Sequence, residues 1–139
     1  MNAQVPRKGA TRAADIPVDV LDALSRGDLQ SATLAEGLAL DQARLLHTVF
    51  PDLSPQTLHA ADAACQLGIL KRMAGIGAAL LAELGVVGIA QCQAHTSDTV
   101  RGWACFMVGA QSELDLSARL AAIRPLADDT HFGVDRKST

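Results

Sequence analysis

The segment that most narrows the fold is the run from Thr96 to Val134, TSDTVRGWACFMVGAQSELDLSARLAAIRPLADDTHFGV. Ser97 is a capping residue whose side-chain oxygen can accept from the orphan amides of a first helical turn, which predicts a helix over 98–108. Val100, Ala104, Met107 and Val108 then share a face. A second helix, expected over 116–127, follows Asp115 as its cap and gathers Leu116, Leu120, Ile123 and Leu126 into a stripe. Neither helix can hide its stripe alone. Two such helices joined by a few polar residues form a hairpin that has to stack on something, which is the logic of helical repeats.

The residue types favour the same class. Hydrophobic residues make up 49% of the chain, yet there are only three Phe, one Trp and no Tyr, so a core has to come from Ala, Leu, Val and Ile. Close-packed helices suit that supply better than a sandwich or barrel, which draws on β-branched and aromatic runs. At 139 residues the chain is expected to form one domain and to bury roughly 68% of its unfolded surface, with no need of metal or disulfide staples.

Taken in order, residues 1–14 form an expected disordered basic tail, residues 15–134 the helical domain and residues 135–139 a second tail. A short helix over 16–25 has Asp15 as its cap, Pro17 in its first turn, Val20, Leu21 and Leu24 on one side, and Gly27 as its stop. Thr33 and Glu36 have the spacing of a capping box, in which each side chain satisfies the other's exposed amide, and a helix is expected from there to Val49. Leu34, Leu38, Leu45 and Val49 recur along it, and Pro51 prevents its continuation. Ser54 followed by Pro55 starts the next helix, with Leu53 and Leu58 spaced as a hydrophobic staple, and Gly68 marks its end. A helix over 69–84 should stop at Gly85 in the left-handed conformation. Gly75 and Gly77 inside it each cost about 1 kcal/mol relative to Ala, so another helix backbone should approach closely there. A further apolar helix is expected over 86–94. Residues 73–90 approach the length of a membrane span, but Glu83, Gly85 and Gly88 interrupt them, so no span is expected.

Charge and cysteine usage bear on partners and compartment. Five basic residues, Arg7, Lys8, Arg12, Arg136 and Lys137, lie in the tails, whereas residues 13–130 carry 14 acidic and 7 basic side chains. An acidic body disfavours nucleic acid, because phosphate binding draws its affinity from a clustered basic face. Cys65, Cys92 and Cys105 are odd in number and lack CxxC spacing, so free buried thiols and a reducing cytoplasm are expected. No apolar stretch follows the basic residues of the N-terminus as it would in a secretory signal.

Catalytic patterns are missing from the sequence. His47, His59, His95 and His131 fall one to a segment, with no HxxxH pair, and His95 beside Asp98 reads as a loop histidine next to a cap. No GxSxG elbow gives the serines a context, and AGIGAALLAELG is not GxGxxG after a strand. No catalytic residue, metal ligand or cofactor is therefore expected. Trp103 and Arg101 stand out as binding residues, and the ordinary alternative for Trp103 is packing between two helices with its indole nitrogen on a backbone carbonyl.

The SDTVR run opening a helix resembles the start of a HEAT-type repeat, and SDTVRGWA with IRPLADDTHFGV resembles bacterial helical-repeat proteins related to DNA alkylation-repair glycosylases. The resemblance covers about the last 40 residues. It implies Val100 in the core, with Asp98 and Arg101 as partners in a polar ladder between neighbouring repeats. It also implies a concave cleft in which aromatic residues and a carboxylate hold a damaged nucleotide. Trp103 is the indole available for that role, but no aspartate matches the catalytic position. Val100 and Val134 are 34 residues apart, a period suited to a helix pair, so the chain is expected to stop where a next repeat would begin.

Together these readings give an all-α fold of stacked antiparallel hairpins, a short HEAT-like α-solenoid of six or seven helices. The expected function is a non-enzymatic scaffold that binds another macromolecule, a protein partner or a second copy through the C-terminal end. The alternative is a DNA-binding protein of the glycosylase kind. Arg101, Trp103, Arg119 and Arg124 are the candidate binding residues, and a groove holding Arg44, Arg101, Arg119 and Arg124 together would favour DNA.

Overall fold

The computed structural model describes residues 7–111. Among them are seven α-helices and no strand: α1 Val18–Arg26, α2 Leu34–Ala39, α3 Gln42–Val49, α4 Pro55–Ala64, α5 Ile69–Leu84, α6 Val86–Gln93 and α7 Asp98–Gly109. The expected helix over 116–127 and the chain end proposed for self-association lie outside the described residues. No helix among those described is long and apolar enough to cross a membrane.

The longest helix, α5, packs against α4, α6 and α7, while α1 packs on α3. Met73, Ile76 and Leu80 of α5 meet a core that includes Leu24, Leu45, Leu46, Trp103 and Met107, all essentially without solvent exposure. Gly75 and Gly77 have the role expected of them. A Cβ on Gly75 would lie 2.5 Å from the Ala64 Cβ of α4, and one on Gly77 would lie 2.9 Å from the Phe106 Cβ and 3.3 Å from the Trp103 carbonyl oxygen of α7. One helix is thus admitted on each side of α5 by the absence of a side chain. Gly85 ends α5 with φ +65° and ψ −155°, a positive φ but an extended ψ rather than the left-handed helical conformation expected.

Helix starts follow their caps. Ser54 accepts from the Thr57 amide with Pro55 in the first turn, and Ser97 accepts from the Val100 amide. At α1 the cap position is Pro17, one residue into the expected helix, and Asp15 instead pairs with Arg12.

The single helix expected from the capping box to Val49 is two. Leu40 is extended (ψ 151°), and Asp41 restarts the helix by accepting from the Arg44 amide at 3.1 Å. The Asp41 amide donates to Ser25 Oγ at 3.1 Å, so α1 satisfies a group that a continuous helix would have paired internally. As a result Leu40 enters the core, while Leu34 and Leu38, expected on the buried stripe, are about half exposed.

Glu36 also departs from its expected role. Thr33 does accept from the Glu36 amide, at 3.3 Å, but the Glu36 carboxylate turns inward and is fully buried. It accepts from the amides of Ala32 at 2.8 Å and Ala10 at 3.1 Å, and from Arg7 Nη1 at 2.8 Å and Nη2 at 2.6 Å. The Thr33 hydroxyl donates to the Ala10 carbonyl. Residues 7–10, which the sequence places in a disordered tail, are thereby tied to the start of α2. The Arg7 guanidinium, with the two amides, holds the Glu36 carboxyl down at about 2 against the opposing effect of burial.

Candidate functional site

Helix α7 places the sequence-derived binding residues in two environments. Trp103 is fully buried, and its Nε1 donates to Gln42 Oε1 of α3 at 3.1 Å. It is a core side chain joined to a neighbouring helix, with a side-chain amide where a backbone carbonyl was expected. Gln42 Nε2 is buried with no hydrogen-bond partner among the described residues. Arg101 lies at the surface end of the helix, donating through Nη1 to the carbonyls of His95 at 3.0 Å and Thr96 at 2.8 Å, and through Nη2 to Gln30 Oε1 at 2.8 Å. Asp98, nearly buried, accepts from the amide and hydroxyl of Ser31 at 2.8 and 2.7 Å. Asp98 and Arg101 therefore fasten the start of α7 to residues 30–31. Arg119 and Arg124 lie outside the described residues.

Arg101 also buttresses a cleft that the sequence does not announce. The C-terminal ends of α1, α3 and α6 converge on a space of about 430 Å³ lined by Arg26, Asp28, Thr48, Phe50, Gln91 and His95. Its hub is Gly27, the stop of α1, which is left-handed (φ +85°, ψ 13°) and returns its amide to the Ala23 and Leu24 carbonyls. A Cβ there would meet His95 Cε1 at 2.9 Å and Leu45 Cδ1 at 3.1 Å, so glycine both permits the turn and lets the three ends close.

Charges in and beside the cleft are paired. Arg26 bridges Asp22 at 2.8 Å and Asp28 at 3.0 Å, and Arg44 meets the other Asp22 oxygen at 2.5 Å. Arg44, first, and Arg26 hold the Asp22 carboxyl below the usual carboxylate range. His95 Nδ1 accepts from the Ser97 amide at 3.0 Å, which fixes the neutral ring with its proton on Nε2. Burial, then the Arg101 charge, push the His95 pKa below its ordinary value, against a smaller opposing pull from Asp28. Arg26 and Arg44 are thus met by Asp22 and Asp28, while Arg101 bears on His95 from behind the cleft. The last turn of α6 carries no basic residue of its own, and the guanidinium of Arg101 meets the carbonyls that follow it.

The Thr48 hydroxyl donates to the Arg44 carbonyl at 2.8 Å, and the acceptor nitrogen of His95 is committed to Ser97, so no nucleophile is paired with a base here. No group of three or more His, Cys, Asp or Glu able to hold a metal occurs among the described residues. Of the thiols, Cys92 and Cys105 are buried as expected, whereas Cys65 is only partly buried. Gly27 as a helix stop was legible in the sequence; that residues 26–28, 48–50 and 91–95 meet there was not. No protein-family model, curated protein or solved structure matches the chain.

Proposed function

We propose that this chain is a non-enzymatic helical scaffold that binds another protein, and that the cleft around Gly27 is its point of contact. The observation that carries this reading is the convergence of three helix C-termini on an open space with paired side-chain charges. Such a junction gathers no cluster of uncommitted arginines for phosphate, and it offers an aromatic edge and side-chain acceptors to a polypeptide. The DNA alternative needs free arginines gathered in one groove. Arg44 is instead held by Asp22, and Arg101 is spent on two backbone carbonyls and Gln30.

A photo-cross-linking residue placed at Thr48 of the intact chain tests the reading in extract, with the same residue at Asp19, at the far end of α1, as the comparison. The expected result is a discrete protease-sensitive adduct from Thr48 and none from Asp19. A nuclease-sensitive adduct from Thr48, or equal adducts from both positions, overturns it.

A further inference from the structure

We infer that His95 is an acid-operated latch on α7: neutral, its ring pins the Ser97 amide, and once protonated it lets go of that amide and turns into the cleft toward Asp28. The latch is the same whatever binds in the cleft, and so stands apart from the protein-binding reading above.

The grip rests on a buried donor. Ser97 has no solvent exposure; its amide donates to His95 Nδ1 at 3.0 Å, and its hydroxyl oxygen caps α7 by accepting from the Val100 amide. A buried backbone N–H keeps its place only while it has an acceptor. Nδ1 accepts only in the neutral ring, because a proton there makes it a second donor facing the first. Ring and amide must then part. The amide belongs to the residue that starts α7, next to Asp98 with its hold on Ser31, so the release falls on the joint between α6 and α7.

The surroundings set the direction of the turn. On the α7 side Arg101 places Nη1 on the carbonyl of His95 itself at 3.0 Å, and its charge opposes an imidazolium more than Asp28 favours one. On another side the ring edge at Cε1 lies so close to Gly27 that even a Cβ there would be 2.9 Å away. The open space of about 430 Å³ is what remains. Its charged groups are Asp28 and Arg26 from the end of α1, joined at 3.0 Å, with Arg26 also bound to Asp22; Thr48, Val49 and Phe50 from α3 and Gln91 from α6 carry no charge. A charged ring that turns there leaves Arg101, gains water, and approaches the Asp28 carboxylate, whose side chain is 62% exposed. Burial and Arg101 together hold the His95 pKa below its ordinary value, so the latch is closed at neutral pH and opens below the ordinary histidine range.

NMR of the intact, isotopically labelled chain, titrated from neutral pH down through the histidine range, tests the latch. The neutral ring should carry its proton on Nε2. On acidification the Ser97 amide and the amides of Gly27 and Asp28 should shift with the midpoint of the ring, and the protection of the Ser97 amide from exchange should fall about tenfold or more, while the Trp103 indole proton stays in place. In His95→Asn, whose side-chain oxygen can stand where Nδ1 accepts, Ser97 should stay protected throughout, and Asp28→Asn should lower the midpoint of the ring. A neutral ring protonated on Nδ1, a Ser97 amide indifferent to the titration of the ring, a midpoint unmoved by Asp28→Asn, or the same acid loss of protection in His95→Asn overturns the latch. So does a Trp103 indole that moves with the ring, since the core is then melting as a whole.

Discussion

Arg7→Ala should cost about 2 kcal/mol of stability at neutral pH, a large effect for a residue near the start of the chain. Its guanidinium gives two of the four hydrogen bonds received by the buried Glu36 carboxylate. Removing one partner of a fully buried ion pair costs about 3–5 kcal/mol, whereas an exposed pair is worth about 0.2–1 kcal/mol. This pair lies between those limits, because Glu36 is fully buried while the Arg7 side chain is 32% exposed. After the substitution Glu36 keeps the Ala10 and Ala32 amides, and water can enter where the guanidinium was, which sets the middle value. The pH profile identifies the mechanism. Glu36 titrates at about 2 in the fold against 4.5 for the free group, so its contribution is complete above 4.5 and is lost as pH falls through about 2. The gap between wild type and Arg7→Ala should therefore be widest above pH 4.5 and narrow below it. Urea unfolding at a series of pH values reads this directly, with Arg12→Ala, from the exposed Arg12–Asp15 pair, expected to be near neutral. An unchanged midpoint for Arg7→Ala, or a gap of constant size across the acid range, would refute the clamp.

Further outcomes follow from other contacts. Thr33→Ala should lose roughly 0.5–2 kcal/mol, since Thr33 caps α2 and also holds the Ala10 carbonyl; an unaltered unfolding midpoint would show that the cap is idle. Gly77→Ala should destabilise by about 1–3 kcal/mol by driving a methyl into Phe106 and the Trp103 carbonyl, whereas Gly37→Ala inside α2 makes only ordinary contact, 3.4 Å from Ser31 Oγ, and should not; equal effects in thermal melts would contradict the close crossing of α5 and α7. Thiol labelling of the native protein should begin at Cys65, while Cys92, its pKa pushed to about 12 by burial, should react only on unfolding; peptide mapping after brief alkylation decides the order. His95 titrates below 6.5 in the fold, so the unfolded chain takes up its proton first. Stability should hold above 6.5 and decline as pH drops from there toward the lowered value, and a slope unaffected by His95→Gln would remove His95 as its source.

Local signals carried the helices whose ends are written in neighbouring residues. Ser54 with Pro55, Ser97, Gly27 and Gly85 set starts and stops that the structure keeps, and the bounds of α5 agree at both ends. The break at Leu40–Asp41 was hidden because Leu34, Leu38, Leu45 and Val49 satisfy a continuous helical period. What decides it is a partner far along the chain, Ser25 Oγ on the Asp41 amide, beside the new cap. Glu36 was legible as a capping residue but not as the anchor for Arg7, since their pairing spans 29 residues. Trp103 stood out as a binding residue or as a side chain packed between helices, and only packing could show that its nitrogen is used by Gln42 inside the core. The cleft is tertiary throughout: no spacing relates Asp28, Thr48 and His95 until three helix ends are brought together.

The most direct test of the central claim, that this junction engages a polypeptide rather than a nucleic acid, is amide-shift mapping of the isotopically labelled chain in two parallel titrations. The protein captured by the Thr48 cross-link should give saturating shifts confined to Asp28, Thr48, Phe50, Gln91 and His95, while duplex DNA at low salt should move none of them. Saturating shifts with DNA that disappear at high salt, with the cleft amides unmoved by the captured protein, would contradict the account and restore the DNA-binding alternative.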